Sequence, residues 1–219
     1  SSIFRSSKFN GDISNWNMSN VTDMACMFSG AKKFNGDIGN WDISKVTDMT
    51  RLFNGATIFN QDISNWDVSS VTSMKSMFSF TNSFNGDISN WNTSNVTSMI
   101  SMFFNAENFN QDISKWDVSN VTNMYGMFSS AKKFNQDISF WNTGNIISMS
   151  FMFFNTETFN QDISKWNISN VIKMESMFSS SKSFNQNIGK WNLDNVNYCD
   201  SILDDTIAFQ IKYNNNKSI

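Results

Sequence analysis

The chain has 219 residues, a formal net charge of −3, 15% aromatic residues and no histidine. The missing histidine removes the commonest general base, transition-metal ligand and pH switch, so histidine-dependent enzymes are excluded. Mild acidity offers no broad basic footprint for nucleic acid, and no apolar run approaches the length of a bilayer-spanning helix.

In chain order, the first unit is partial. The stretch IFRSSKF, Ile3 to Phe9, resembles MFSGAKKF, Met27 to Phe34, with one residue fewer, so residues 1–8 read as a partial N-terminal repeat with further copies expected ahead of it. From Phe9 the chain repeats every 25 residues without an insertion: Phe34, Phe59, Phe84 and so on to Phe209, with the eight tryptophans, Trp16 to Trp191, one per copy. Residues 9–208 therefore form one elongated eight-repeat array, and 209–219 read as a degenerate cap and flexible tail. Cys26 and Cys199 stand seven copies apart, far beyond disulfide reach in such a stack.

Within a copy, Trp16 and Met18 alternate with Asn15, Asn17 and Ser19, the period-two pattern of a short strand with one buried face. Val21, Met24, Met27, Phe28 and Ala31 follow at spacings that predict one apolar stripe of a helix of about three turns, with Ser19 or Asn20 as N-cap. The return segment AKKFNGD brings Phe34 back to the core. A lone strand-helix unit cannot bury its apolar side, whereas stacked copies share a continuous core of side-chain ladders. The expected fold class is an α/β repeat solenoid of eight 25-residue strand-helix turns with a parallel sheet on one side. Because strands pack about 4.8 Å apart and helices about 10 Å, the strands are expected on a concave face.

Two polar columns run through the copies. Asn10 recurs to Asn185 and suits buried amides that bond the backbone of neighbouring copies. Asp12 recurs to Asp162, and its like charges need compensation, either from backbone N–H donors or from bridging divalent cations. The backbone reading is the simpler one, so no metal and no cofactor is assigned.

The stretch WDVSNVTNMYGMFSSAKKFNQDIS, Trp116 to Ser139, resembles the repeat of BspA-like leucine-rich-repeat surface proteins in its mycoplasma-type version, a surface-lipoprotein repeat of unknown function. The resemblance runs from about Phe9 to Ala208. It implies a leucine-rich-repeat-like solenoid, extracellular or cell-surface display, and adhesion or protein binding, with no catalytic motif to transfer. Val21 stands where an ordinary leucine-rich repeat has its asparagine, so that ladder is absent or replaced by Asn10.

Invariant positions hold the scaffold, and a partner is read where copies differ. Unusual apolar residues concentrate in copies three to six: Phe80, Ile100, Phe104, Tyr125, Phe140, Phe151 and Phe154 are the candidate partner-binding residues. The strand face would show Asn15, Asn40, Asn65 and Asn90, then Lys115, Phe140, Lys165 and Lys190. The expected function is a non-enzymatic, surface-displayed scaffold for adhesion or for recognition of a protein or glycan on another surface. The alternative is a structural component of an envelope, capsid or extracellular layer that self-associates through its regular edges. Ice binding by the Thr22 column is disfavoured because that column falls on the predicted helix.

Overall fold

The computed structural model describes residues 2–206. The cap and tail expected at 209–219 lie outside the described residues. Among those described, the 25-residue copies stack as successive turns, but the α/β strand-helix architecture is not what builds them. No residue is helical, and the extended pairing consists of single parallel bridges, Asp23 with Asp48, Asp48 with Ser73 and onward to Lys173 with Tyr198.

The segment expected to be helical is a run of tight turns laced to the next copy. The amides of Met24, Cys26, Phe28 and Gly30 donate to the carbonyls of Asp48, Thr50, Leu52 and Asn54 at 2.6–3.0 Å. The intervening amides of Met27, Ser29 and Ala31 turn back to the carbonyls of Met24, Cys26 and Phe28, three residues earlier. Backbone donors thus alternate between the neighbouring copy and the local turn, which accounts for each of them without a helix. Geometry of this kind needs left-handed backbone at two places per copy. Every positive-φ residue falls in one of two columns, that of Cys26, Arg51, Ser76, Ser101 and Gly126, or that of Gly30, Gly55, Phe80 and Asn105.

Two physical facts defeat the helix. Serine, asparagine, threonine and valine dominate SNVTDM and its copies, and all are weak helix formers that favour turns or extended backbone. Side-by-side helices would also hold the copies about 10 Å apart and prevent the backbone from pairing. The three-four spacing of Met24, Met27, Phe28 and Ala31 still reports burial correctly, since all four are buried, but successive three-residue turns produce that spacing as well as a helix does.

The interior is a set of ladders. Phe28, Phe53, Phe78, Phe103, Phe128, Phe153 and Phe178 stack with ring centroids 5.6–5.7 Å apart, each ring also 3.8–4.0 Å from the phenylalanine six residues later. Spacing widens to 6.0–6.2 Å in the Phe34 column and to 6.3–6.4 Å between Trp16 and Trp41, Trp91 and Trp116, and Trp141 and Trp166. Turns therefore lie closest at the hydrogen-bonded wall of residues 22–30 and its copies, not on the Trp16–Met18 side where the strands were expected.

Polar ladders close the remaining sides. Asn10 Oδ1 accepts from the amide of Asn35 at 2.8 Å, and the same bond links Asn35 to Asn60 and each later pair to Asn160 and Asn185. This asparagine column ties the bend before each tryptophan to the bend of the next copy. The indoles from Trp41 onward are fixed too: Nε1 of Trp41 donates to the carbonyl of Ile13 at 3.0 Å, and every later tryptophan repeats the bond, through Trp191 to Ile163.

Candidate functional site: an aromatic groove on the laddered wall

Because the core side of the 22–30 wall holds Met24, Met27 and Phe28, the residues between them face outward. These outward positions are where the copies differ. In the fourth to seventh copies they make a groove of about 410 Å³, lined by Ile100, Tyr125 and Phe151 together with Thr122, Ile147, Ser148, Lys173 and Glu175. Tyr125 and Phe151 sit 5.4 Å apart with rings tilted by 53°, and Phe154 meets Phe151 edge-on at 5.8 Å. Phe80 and Phe104 form a second edge-on pair at 5.1 Å farther along the same wall. Six of the seven candidate residues thus share one surface; Phe140 does not. It stands 81% exposed on another face, with Lys165 Nζ 6.0 Å from its ring.

Phe80 and Phe151 occupy the two left-handed columns, at φ 56° and 59°. Other copies place Gly30, Gly55, Gly126, Ser101 or Asn105 there. A bulky residue in that region costs about 1–2 kcal/mol relative to glycine, so both aromatics are kept against the preference of the fold. At the charged end of the groove, the Ser150 hydroxyl donates to Glu175, and Lys173 Nζ lies 5.3 Å over the ring of Tyr198.

Beside this groove the Thr22 column belongs to the bonded wall rather than to a helix. The amide and hydroxyl of Thr47 both donate to the carbonyl of Thr22, at 2.9 and 3.2 Å, and Thr72 and Thr97 repeat the pair on the copy before. In the sixth and seventh copies the column becomes Ile147 and Ile172, 46% and 37% exposed. Neither the two left-handed columns nor the isoleucines were assigned to a site from the sequence. Glycine and asparagine recurring at 30, 55, 105 and 155 were the available signal, because both tolerate positive φ.

The aspartate column is explained within its own turns. The amide and hydroxyl of Ser14 donate to Asp12 Oδ1 at 2.9 and 2.7 Å and hold its carboxyl below the ordinary carboxylate range. Asp87 is lowered in the same way by the Ser89 amide and hydroxyl, against partial desolvation and the like charges of Asp62 and Asp112. Among the described residues no group of three or more histidine, cysteine or acidic side chains is placed to hold a metal ion. Nor is any helix there long and apolar enough to cross a membrane.

Comparison with known families finds one model, described as Mycoplasma protein of unknown function, DUF285, matching residues 1–80, 59–153 and 136–217. No curated protein matches the chain. The matches overlap and together span every copy, which gives a tandem-repeat protein but not a specifically BspA-like leucine-rich one. With its whole repeat array matched, the chain belongs to the DUF285 family of Mycoplasma repeat proteins of unknown function.

Proposed function

We propose that this chain is a non-enzymatic repeat scaffold, displayed on the outside of the cell, that recognises a partner on another surface through the wall bearing Tyr125 and Phe151. The observation that carries this reading is the strain at Phe80 and Phe151, two aromatics held in left-handed backbone where other copies use small or polar residues. Strain that persists against the fold points to a use of the side chain. Half-exposed aromatics with an apolar floor and a polar rim are the composition of binding surfaces. A catalytic role has little to draw on, since histidine is absent and the carboxylates recur as turn acceptors. Surface display is part of the proposal and draws on the resemblance to the BspA-like group.

Replacing Tyr125 by Ser, the residue of the next copy, and Phe151 by Ser, that of Ser101 and Ser176, tests the reading with the chain's own alternatives. Labelled protein is titrated onto intact animal cells and immobilised extracellular-matrix proteins, with light scattering followed against concentration. Saturable binding by a monomer, weakened at least tenfold in the double variant, is the expected result. Equal binding by both proteins, or ordered multimers without external ligand, would overturn the reading, the latter in favour of a structural layer component.

A further inference from the structure

A second groove, of about 520 Å³, runs along the same wall between Asn120, Asn145 and Asn170 on one side and Thr122, Ile147 and Ile172 on the other. Its lining residues are 25 apart in the sequence, so the chemistry repeats once per turn, about every 4.8 Å. Each asparagine has one half of its amide committed. Nδ2 of Asn120, Asn145 and Asn170 donates to the carbonyls of Ser94, Ser119 and Gly144 at 2.7–2.8 Å. The three Oδ1 atoms have no donor among the described residues. An amide held by its nitrogen aims its oxygen in a fixed direction, so the column asks for a ligand that offers one donor per turn.

The six lining residues carry no charge, so a polyelectrolyte finds no counterpart along the groove. Extended peptide is mismatched as well, because it repeats its groups on one edge every two residues, about 6.6–6.8 Å, and loses phase with the turns almost at once. Linear chains of equatorially linked hexoses satisfy both sides. Their rings carry hydroxyl donors on the edge and C–H groups on the face, and they advance by close to one turn per ring. We propose that this groove binds a linear, neutral polysaccharide lying along the stack, hydroxyls toward the asparagine column and ring faces toward Ile147 and Ile172. The proposal rests on the recognition reading above and names a ligand class for its wall.

Variants drawn from the chain itself keep the scaffold. At the equivalent place Ser70 donates its hydroxyl to the carbonyl of Ser44 at 2.7 Å, so Asn120→Ser, Asn145→Ser and Asn170→Ser together retain the inter-turn bond and remove the amide Oδ1 column. Thr122→Trp, at an exposed site, fills the groove and serves as an independent second variant. Cellohexaose, chitohexaose, their dimers, polygalacturonate and an uncharged threonine-rich decapeptide are titrated calorimetrically into the whole chain.

At least one neutral hexamer should bind, ten or more times tighter than its dimer, and each variant should weaken it at least tenfold with the thermal transition retained. Should the triple variant fail to fold, loss of binding in Thr122→Trp supports the proposal and retained binding overturns it. No binding of either hexamer, indifference to a folded variant, or tighter binding of polygalacturonate or peptide also overturns it. Cell binding that depends on Tyr125 and Phe151 would then leave the recognition reading standing alone.

Discussion

The indole of Trp116 donates from Nε1 to the main-chain carbonyl of Ile88, 3.0 Å away and 28 residues earlier. That carbonyl also receives the amide of Trp91 at 3.3 Å, so one oxygen ties its own turn and the next. Trp116→Phe keeps most of the packing and loses the inter-turn bond, which predicts a cost of about 0.5–1.5 kcal/mol for the bond and somewhat more for the unfilled space. Trp16, 40% exposed in the first copy, is the control: Trp16→Phe should cost less. Urea denaturation of the two variants measures the difference, and equal losses would show that the indole acts by bulk alone.

Asn110 Oδ1 accepts from the amide of Asn135 at 2.9 Å and from Gln136 Nε2 at 3.0 Å. Asn110→Leu leaves the Asn135 amide without its acceptor in the middle of the stack, while Gln136 Nε2 keeps the main-chain carbonyl of residue 110 at 2.9 Å, and a part-buried amide left unpaired costs about 1–3 kcal/mol. The midpoint of chemical unfolding should fall accordingly. An unchanged midpoint would mean that water reaches this bend and replaces the side chain.

Burial was legible in the sequence and local conformation was not. Phe28, Phe34 and Trp41 are core residues in the positions the repeat assigned them, because apolar periodicity reports which side faces inward. It does not report how the backbone gets there. Met24, Met27 and Phe28 fit a helix and a chain of three-residue turns equally well, and the choice was made by inter-turn hydrogen bonds from Met24, Cys26 and Phe28 that no single copy displays. The candidate surface was half legible. Variation among copies picked out Tyr125 and Phe151, but their meeting across one groove depends on the left-handed turn at Phe151, which a helical reading moves elsewhere.

The hydroxyl of Ser44, followed by its amide, holds the Asp42 carboxyl below the usual carboxylate range, through bonds of 2.7 and 3.2 Å. A carboxyl whose folded pKa is depressed contributes stability that is complete above its unfolded value, about 3.9, and is lost as pH falls through the folded value. Stability should therefore be level from neutral pH to just above 4 and decline below it. Ser44→Ala removes the larger cause, so the Asp42 carboxyl should titrate at a higher pH by carbon-detected NMR. No movement would show that the amide alone sets it.

Since every ladder recurs at intervals of 25 residues, removal of residues 85–109 as a block preserves the register of all of them. That variant should fold cooperatively with an unchanged circular dichroism signal per residue and a modestly lower Tm. A single glycine inserted after Asn108 interrupts the same ladders between the fourth and fifth copies while adding almost no mass. Its transition should broaden or split. A sharp transition in the insertion variant, or an unfolded block deletion, would count against register as the source of cooperativity.

Phe78 and Phe80 are two residues apart and have opposite accounts. Phe78 is fully buried and stacks on Phe53 and Phe103, at 5.6 and 5.7 Å; truncating such a side chain to alanine costs about 3–5 kcal/mol. Phe80 is 45% exposed at positive φ and meets Phe104 edge-on. Phe80→Gly, the residue at 30 and 55, gives up an aromatic contact worth about 0.5–1.5 kcal/mol and relieves a left-handed backbone cost of about 1–2 kcal/mol. Greater freedom of the unfolded chain takes back about 0.4–1 kcal/mol. The expected net change is within about 1 kcal/mol of zero, read from paired thermal or urea transitions of the two variants. A loss at Phe80 matching that at Phe78 would make it a core residue and withdraw the strain argument on which the aromatic surface stands.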